Sequence, residues 1–173
     1  ESSFNSDENQ TDIGTVIAVD GDDDTITFTI SSDEISISTD GILTFITAPD
    51  YETKATYTAT ISASDGTNVT TQDVTVNITN LNDVAPEFTS DATFSSDENQ
   101  TAIGAITASD EDGDEVAFNV SGDELSITSA GVLTFVSAPD YEIKDTYTAT
   151  ITASDSLNTS TQDITVNVNN LND

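Results

Sequence analysis

The chain has 173 residues, with 33 Asp plus Glu against two basic residues, Lys54 and Lys144, and a formal net charge of −31. It contains no His, Cys, Met or Trp. Such a surface repels nucleic-acid phosphates and anionic membranes, and it lacks thiol chemistry, disulfides and the commonest general base and zinc ligand. From the N-terminus, short segments near residues 3–5, 15–20, 25–30, 35–39, 42–46, 56–64 and 70–80 read as strands. Residues 25–30 (TITFTI), 57–63 (YTATISA) and 73–78 (DVTVNI) alternate polar with apolar or β-branched side chains, the period of a half-buried strand. Between the strands carrying Ile35/Ile37 and Leu43/Phe45, Asp40-Gly41 predicts a tight hairpin. No helical period is present, and no run of about 18 apolar residues marks a membrane helix. No basic-then-apolar signal segment is present either.

The same elements return ninety residues later. Residues 41–52 (GILTFITAPDYE) reappear from Gly131 as GVLTFVSAPDYE, and 49 of the 83 overlapping positions are identical. Copy two has Ala130 where copy one has Asp40, so the glycine of that hairpin is the residue the turn requires. Repetition at a fixed offset marks a tandem array, with one repeat over residues 1–83 and another over 87–173. Val84-Ala85-Pro86 between them is too short to act as a flexible tether. Seven short strands in fewer than 90 residues predict an all-β architecture of two Greek-key β-sandwiches joined end to end. Without disulfides, so small a core buries only about 60–65% of its chain's surface and calls for a structural metal.

The acids gather at predicted strand ends. Copy one has Asp7-Glu8-Asn9, residues 20–24 (DGDDD), Asp50-Tyr51-Glu52, Asp65 and residues 80–83 (NLND). Copy two repeats the scheme at Glu98, Asp110/Asp112/Asp114, Asp140/Glu142, Asp155 and Asp173. Turn chemistry explains single Asp and Asn residues, but not Glu8 and Glu52, nor the return of the same acids at a fixed offset. Carboxylate, amide and hydroxyl oxygens are the ligand set of Ca²⁺. An EF-hand is excluded: counting from Asp20, position six is Thr25 and position twelve is Ser31, with Glu115 and Ser121 in copy two.

Glu8-Asn9, Ala18-x-Asp20-x-Asp22, Asp50-Tyr51-Glu52, Ala63-x-Asp65 and residues 81–87 (LNDVAPE) resemble, in order and spacing, the motifs of cadherin repeats, twice over nearly the whole chain. The resemblance implies that ligands come from the base of one repeat, the linker, and the top of the next. Carried over, Glu8, Asp50, Glu52, Asp83 and the Leu81 carbonyl would hold two ions. Asn82, the Val84 carbonyl, Asp110, Asp112 and Asp155 would hold a third, with Asp112 shared. Partial sites are expected at Asp20, Asp22 and Asp65, and at Glu98, Asp140, Glu142 and Asp173. Asn80 and Val84 depart from the family's usual Asp and Asn. The missing Trp excludes the strand exchange of animal classical cadherins. Near-identical repeats without Arg look more like part of a large bacterial surface protein.

The seven carboxylates of this set oppose one another by about 1 kcal/mol per close pair in water and about 4 at a surface-like dielectric. About three Ca²⁺ would nearly neutralise them. The leading expectation is therefore an extracellular, calcium-stiffened adhesive or structural repeat whose partners are the neighbouring repeats of the same chain. The alternative is a Ca²⁺-dependent module that binds polysaccharide or another copy of itself. An enzyme built on the Asp50/Glu52 pair is disfavoured, because the pair recurs at metal-ligand positions in both copies.

Overall fold

Alternating β-branched and polar residues build strands and nothing else here. A computed structural model describes residues 2–172, with sixteen strands and no helix among them. The chain divides into two units, Glu1–Leu81 and Asn82–Asp173.

Unit 1 is a sandwich of two sheets. Its strands are β1 (Ser2–Asp7), β2 (Asp12–Thr15), β3 (Thr27–Ile30), β4 (Ile35–Ile37), β5 (Ile42–Phe45), β6 (Thr56–Ser64) and β7 (Val69–Thr79). One sheet runs β1-β7-β6-β3 and the other β2-β5-β4. β1 lies parallel to β7, while β6 is antiparallel to both β7 and β3. The inward set of each strand meets in one core, with Ile35, Leu43, Phe45, Ile61, Val74 and Val76 all buried. Tyr57 packs edge-on against Phe45 with ring centroids 4.9 Å apart. In a core this closely filled, truncating Leu43 to Ala costs about 2–5 kcal/mol.

Unit 2 repeats the plan with two additions. Its strands are β8 (Glu87–Phe88), β9 (Thr93–Asp97), β10 (Ala102–Ala105), β11 (Ala108–Ser109), β12 (Ala117–Val120), β13 (Leu125–Ile127), β14 (Val132–Phe135), β15 (Thr146–Ser154) and β16 (Thr159–Asn169). β12-β15-β16-β9 and β10-β14-β13 match the two sheets of unit 1, and β8 pairs with β11 as a separate short ladder. This bears on the strand expected near residues 15–20. In unit 1 it ends at Thr15, whereas the equivalent stretch of unit 2 resumes as β11 because β8 supplies its hydrogen-bonding partner.

The Asp40-Gly41 hairpin forms as expected between β4 and β5. Gly41 and Gly131 hold φ of +78° and +84°, and a Cβ there would stand 2.2 and 2.1 Å from the Val16 and Ile106 carbonyl oxygens. Left-handed backbone combined with backbone contact admits only glycine, which is why Asp40 can become Ala130 while Gly persists.

Candidate metal centre

Topology sorts the acids of each unit onto two ends. Asp7 of β1 pairs with Thr79 of β7, and Thr56, which opens β6, faces Asn77. The residues after β1, before β6 and after β7 therefore share one end. Glu8 sits there only 2% exposed. Its Oε2 accepts the Tyr51 N–H at 2.8 Å and its Oε1 the Leu81 N–H at 2.7 Å. Glu98 repeats this in unit 2, accepting from Tyr141 at 2.9 Å and Leu171 at 2.6 Å. Two charge-assisted bonds fix each carboxylate and leave further lone pairs for a cation.

Around that anchor, a Glu52 oxygen lies within 4.8 Å of one from Glu8, and Glu98, Asp140 and Glu142 form an equivalent trio. Glu142 also accepts from the Asn170 amide at 3.0 Å. Asp50 is engaged in its own turn, accepting from the Thr53 N–H at 3.2 Å and the Thr53 hydroxyl at 2.9 Å. Ile143 stands in place of Thr53 in unit 2 and offers no hydroxyl; only its N–H reaches Asp140, at 3.3 Å. Asp173, expected to complete this end, lies outside the described residues.

The opposite end of unit 2 collects the loop after β11, the β15–β16 hairpin and residues 82–84. Asp110, Asp112 and Asp114 each place an oxygen within 4.8 Å of the others. Asp112 Oδ2 accepts the N–H groups of Asp83 at 3.0 Å and Val84 at 2.9 Å, tying the segment ahead of β8 to the loop. Asp155 is 4% exposed. Its Oδ1 accepts from Leu157 N–H at 2.7 Å and Asn158 N–H at 2.6 Å. The Asn158 amide donates to Asn82 Oδ1 at 2.6 Å. Burial pushes the Asp155 carboxyl up, but the donors from Asn158, Leu157 and Asn82 outweigh it and hold the group below its usual value. Asp110 Oδ2 is buried without a hydrogen-bond partner. A buried carboxylate oxygen with nothing to accept from is costly unless a cation meets it.

Two participants lie outside the ligand set that the resemblance implies, although Asp114 already stands among the clustered acids of the sequence. Asp114 joins the trio, for which the alternating Asp110-x-Asp112-x-Asp114 spacing was the available signal. Asn158 bridges to Asn82, and nothing in its local sequence marks it.

The corresponding end of unit 1 closes on itself. Asp20 Oδ1 accepts from Asp22 N–H at 2.9 Å and Asp24 N–H at 3.1 Å. Asp65 accepts from the backbones of Thr67 and Asn68, both at 2.6 Å, and from the Asn68 amide at 2.9 Å. The Asn68 N–H, with that amide and the Thr67 N–H, holds the Asp65 carboxyl below its usual value.

Neither cation of the chain serves these ends. Lys54 bonds Glu34 at 2.6 Å while lying over the Tyr57 ring, and Lys144 does the same with Glu124 and Tyr147. The donors at the acidic ends are all oxygens (carboxylates, amides and carbonyls), a set that suits a hard cation such as Ca²⁺.

Solved structures share this architecture. Human protocadherin-24 EC1-2 superposes with a TM-score of 0.83 at 19% identity, covering 99% of this chain and 95% of that one. Mouse cadherin-23 EC22-24 gives 0.80 at 22% identity, covering 99% and 64%. The two units share the fold of tandem cadherin repeats. Sequence comparison agrees, although no protein-family model matches the chain. Rat cadherin-23 is 30% identical over 155 residues, 81% of this chain. Human cadherin EGF LAG seven-pass G-type receptor 2 is 33% identical over 169 residues, 84% of this chain. The chain spans only about 5–6% of the length of these relatives. Among the described residues no helix is long and apolar enough to cross a membrane.

Proposed function

We propose that these cadherin-like repeats bind Ca²⁺ where one repeat passes into the next, and that the metal sets the stiffness of an extended cell-surface adhesive or structural protein. Residues 1–83 and 87–173 would act as struts, with Val84-Ala85-Pro86 as the coupling. Glu8, Asp50, Glu52, Asp83 and the Leu81 carbonyl would take two ions. Asn82, the Val84 carbonyl, Asp110, Asp112 and Asp155 would take a third, and Asp114 joins that set.

The observation that carries the reading is Asp110 Oδ2, buried without a partner inside a trio of carboxylates. Charge supports it. With 33 acids against two lysines, both committed to Glu34 and Glu124, the protein has no cation of its own to place at these ends. A metal that binds only the folded state stabilises it by RT ln(1 + [L]/Kd), about 2.7 kcal/mol at a hundredfold excess over Kd.

Aromatic platforms of the kind that hold sugars do not compete with this reading. All seven Phe and four Tyr side chains belong to the two cores or pack against them.

Small-angle scattering in Ca²⁺ and then in EDTA, paired with a calorimetric Ca²⁺ titration, tests the proposal. The expected result is one extended shape in Ca²⁺, a broadened ensemble in EDTA, and loss of the difference in Asp112→Ala. Identical scattering in both buffers, with no heat of binding, would refute it.

A further inference from the structure

We propose that each unit seats an arginine side chain of a partner protein, in a cleft beside Tyr57 in unit 1 and beside Tyr147 in unit 2. The inference stands apart from the calcium reading.

The cleft of unit 1 has a volume of about 310 Å³ and that of unit 2 about 360 Å³. Ile46, Ala48, Pro49 and Tyr57 form the apolar wall of the first, and Asp33 and Asp50 its acidic lip. The second repeats this arrangement, with Val136 for Ile46 and Ile143 for Thr53. Backbone bonds hold the walls in place. The Ile46 N–H donates to the Glu34 carbonyl and the Asn9 N–H to the Pro49 carbonyl, both at 2.9 Å. Val136 with Glu124, and Asn99 with Pro139, repeat both bonds at 2.9 Å. Each wall leaves apolar surface in water: Ile46 is 61% exposed, Val136 59% and Ile143 82%.

The chain's own cations show what this place attracts. Lys54 and Lys144 are the only basic side chains in 173 residues, and both come here. Each bonds the glutamate of its cleft, Glu34 or Glu124, at 2.6 Å and stands 4.3 Å over the tyrosine ring. That pairing neutralises the glutamate but not the neighbouring aspartate. Among the described residues the Asp33 and Asp123 carboxylates make no hydrogen bond or ion pair. An apolar wall beside an unpaired carboxylate suits a cation carried on an aliphatic stem. Arginine fits better than lysine, because its planar fork is weakly hydrated and grips a carboxylate at two points. A net charge of −31 steers a basic partner towards the chain, and the wall decides where it stops.

The differences between the two clefts rank them. In unit 1 the Thr53 N–H and hydroxyl both engage Asp50, whereas Ile143 offers Asp140 only its N–H and adds apolar surface. Unit 2 should therefore hold the stem more tightly.

The probe is a blocked tripeptide with arginine between two leucines, titrated into the whole chain in saturating Ca²⁺ and about 0.15 M salt. NMR amide signals read the two clefts separately. We expect shifts centred on Ile46 and Ala48 and on Val136 and Ala138, with unit 2 binding about threefold tighter or more. Citrulline in place of arginine keeps the shape without the charge and should bind about tenfold more weakly. Asp33→Asn should weaken unit 1 about threefold and leave unit 2 unchanged, while Thr53→Ile should bring unit 1 to the level of unit 2. Asp33 and Thr53 are exposed, so neither change threatens the fold. Four outcomes would overturn the proposal. Equal binding of the citrulline peptide would mean a cleft for neutral chains. Shifts spread evenly over the acidic loops would mean that cations merely gather on the surface. Indifference to Asp33→Asn would remove the named partner, and tighter binding of spermidine would make the guest a free amine rather than a protein.

Discussion

The loop ends of the two repeats are assembled from the same residue types, Asp20/Asp22/Asp24 with Asp65 in one and Asp110/Asp112/Asp114 with Asp155 in the other, yet they are closed differently. In unit 1 the acids cap their own turns and the surface beside them is open. In unit 2 residues 82–88 lie across the end, with the Asp83 and Val84 amides on Asp112, Asn82 against Asn158, Pro86 buried and Phe88 on the core. Seven residues thus convert a set of turn-capping acids into a partly buried cluster. Chemical identity at a site is not enough; the segment that excludes water from it decides what the carboxylates experience.

The largest effect should come from the metal. Removing Ca²⁺ with EDTA is expected to cost about 2.7 kcal/mol for each site held at a hundredfold excess over its Kd. Scanning calorimetry should show that loss chiefly where unit 2 supplies ligands, and equal loss in a chain carrying Asp110→Asn and Asp112→Asn would break the comparison. Next in size is Phe88→Ala, which removes the ring that β8 seats on the second core. We expect unit 2 to lose about 2–4 kcal/mol and the Ile106 and Ala108 amides to exchange faster, making this end resemble unit 1. A loss below about 0.5 kcal/mol would mean that β8 is only draped over the surface. Smaller again is the contrast between Asp112→Ala and Asp22→Ala in EDTA. The first strands two backbone amides and should cost about 1–2 kcal/mol, whereas exposed Asp22 should stay within about 0.5. Urea unfolding of the two variants reads the difference, and matched costs would remove the role given to Asp112.

Much of this was legible before any coordinates. Period-two alternation placed the β3–β6–β7 sheet strands, and the ninety-residue offset paired each candidate ligand acid of one copy with its counterpart in the other. The persistence of Gly41 and Gly131 identified the hairpin that leaves no room for a Cβ. What escaped depends on contacts distant in sequence. β11 exists only because Phe88, twenty residues earlier, pairs with Ala108. Asn158 matters only because the β15–β16 hairpin brings it to Asn82, 76 residues away in sequence. Asp50 reads like Asp140, but the residue three positions on, Thr53 or Ile143, decides whether a hydroxyl engages it.

The finest distinction lies in acid. Asp65 and Asp155 both ionise more readily than an ordinary carboxyl, whose reference value is 3.8, so each contributes stability while charged. With a depressed folded-state pKa, that contribution is complete above the unfolded value. It is lost as pH falls through the lower, folded one. The acid limb of stability in EDTA should therefore begin near pH 4 and steepen below it for both units. The two carboxylates differ in one donor: Asp155 has the Asn82 amide and Asp65 has no counterpart to it. Asn82→Ala should move the acid unfolding of unit 2 to higher pH and leave that of unit 1 where it was, as followed by NMR signals from each unit. If both units shift together, the segment ahead of β8 acts through the net charge of the whole chain rather than through Asp155. The local closure that separates the two loop ends would then have no bearing on their ionisation.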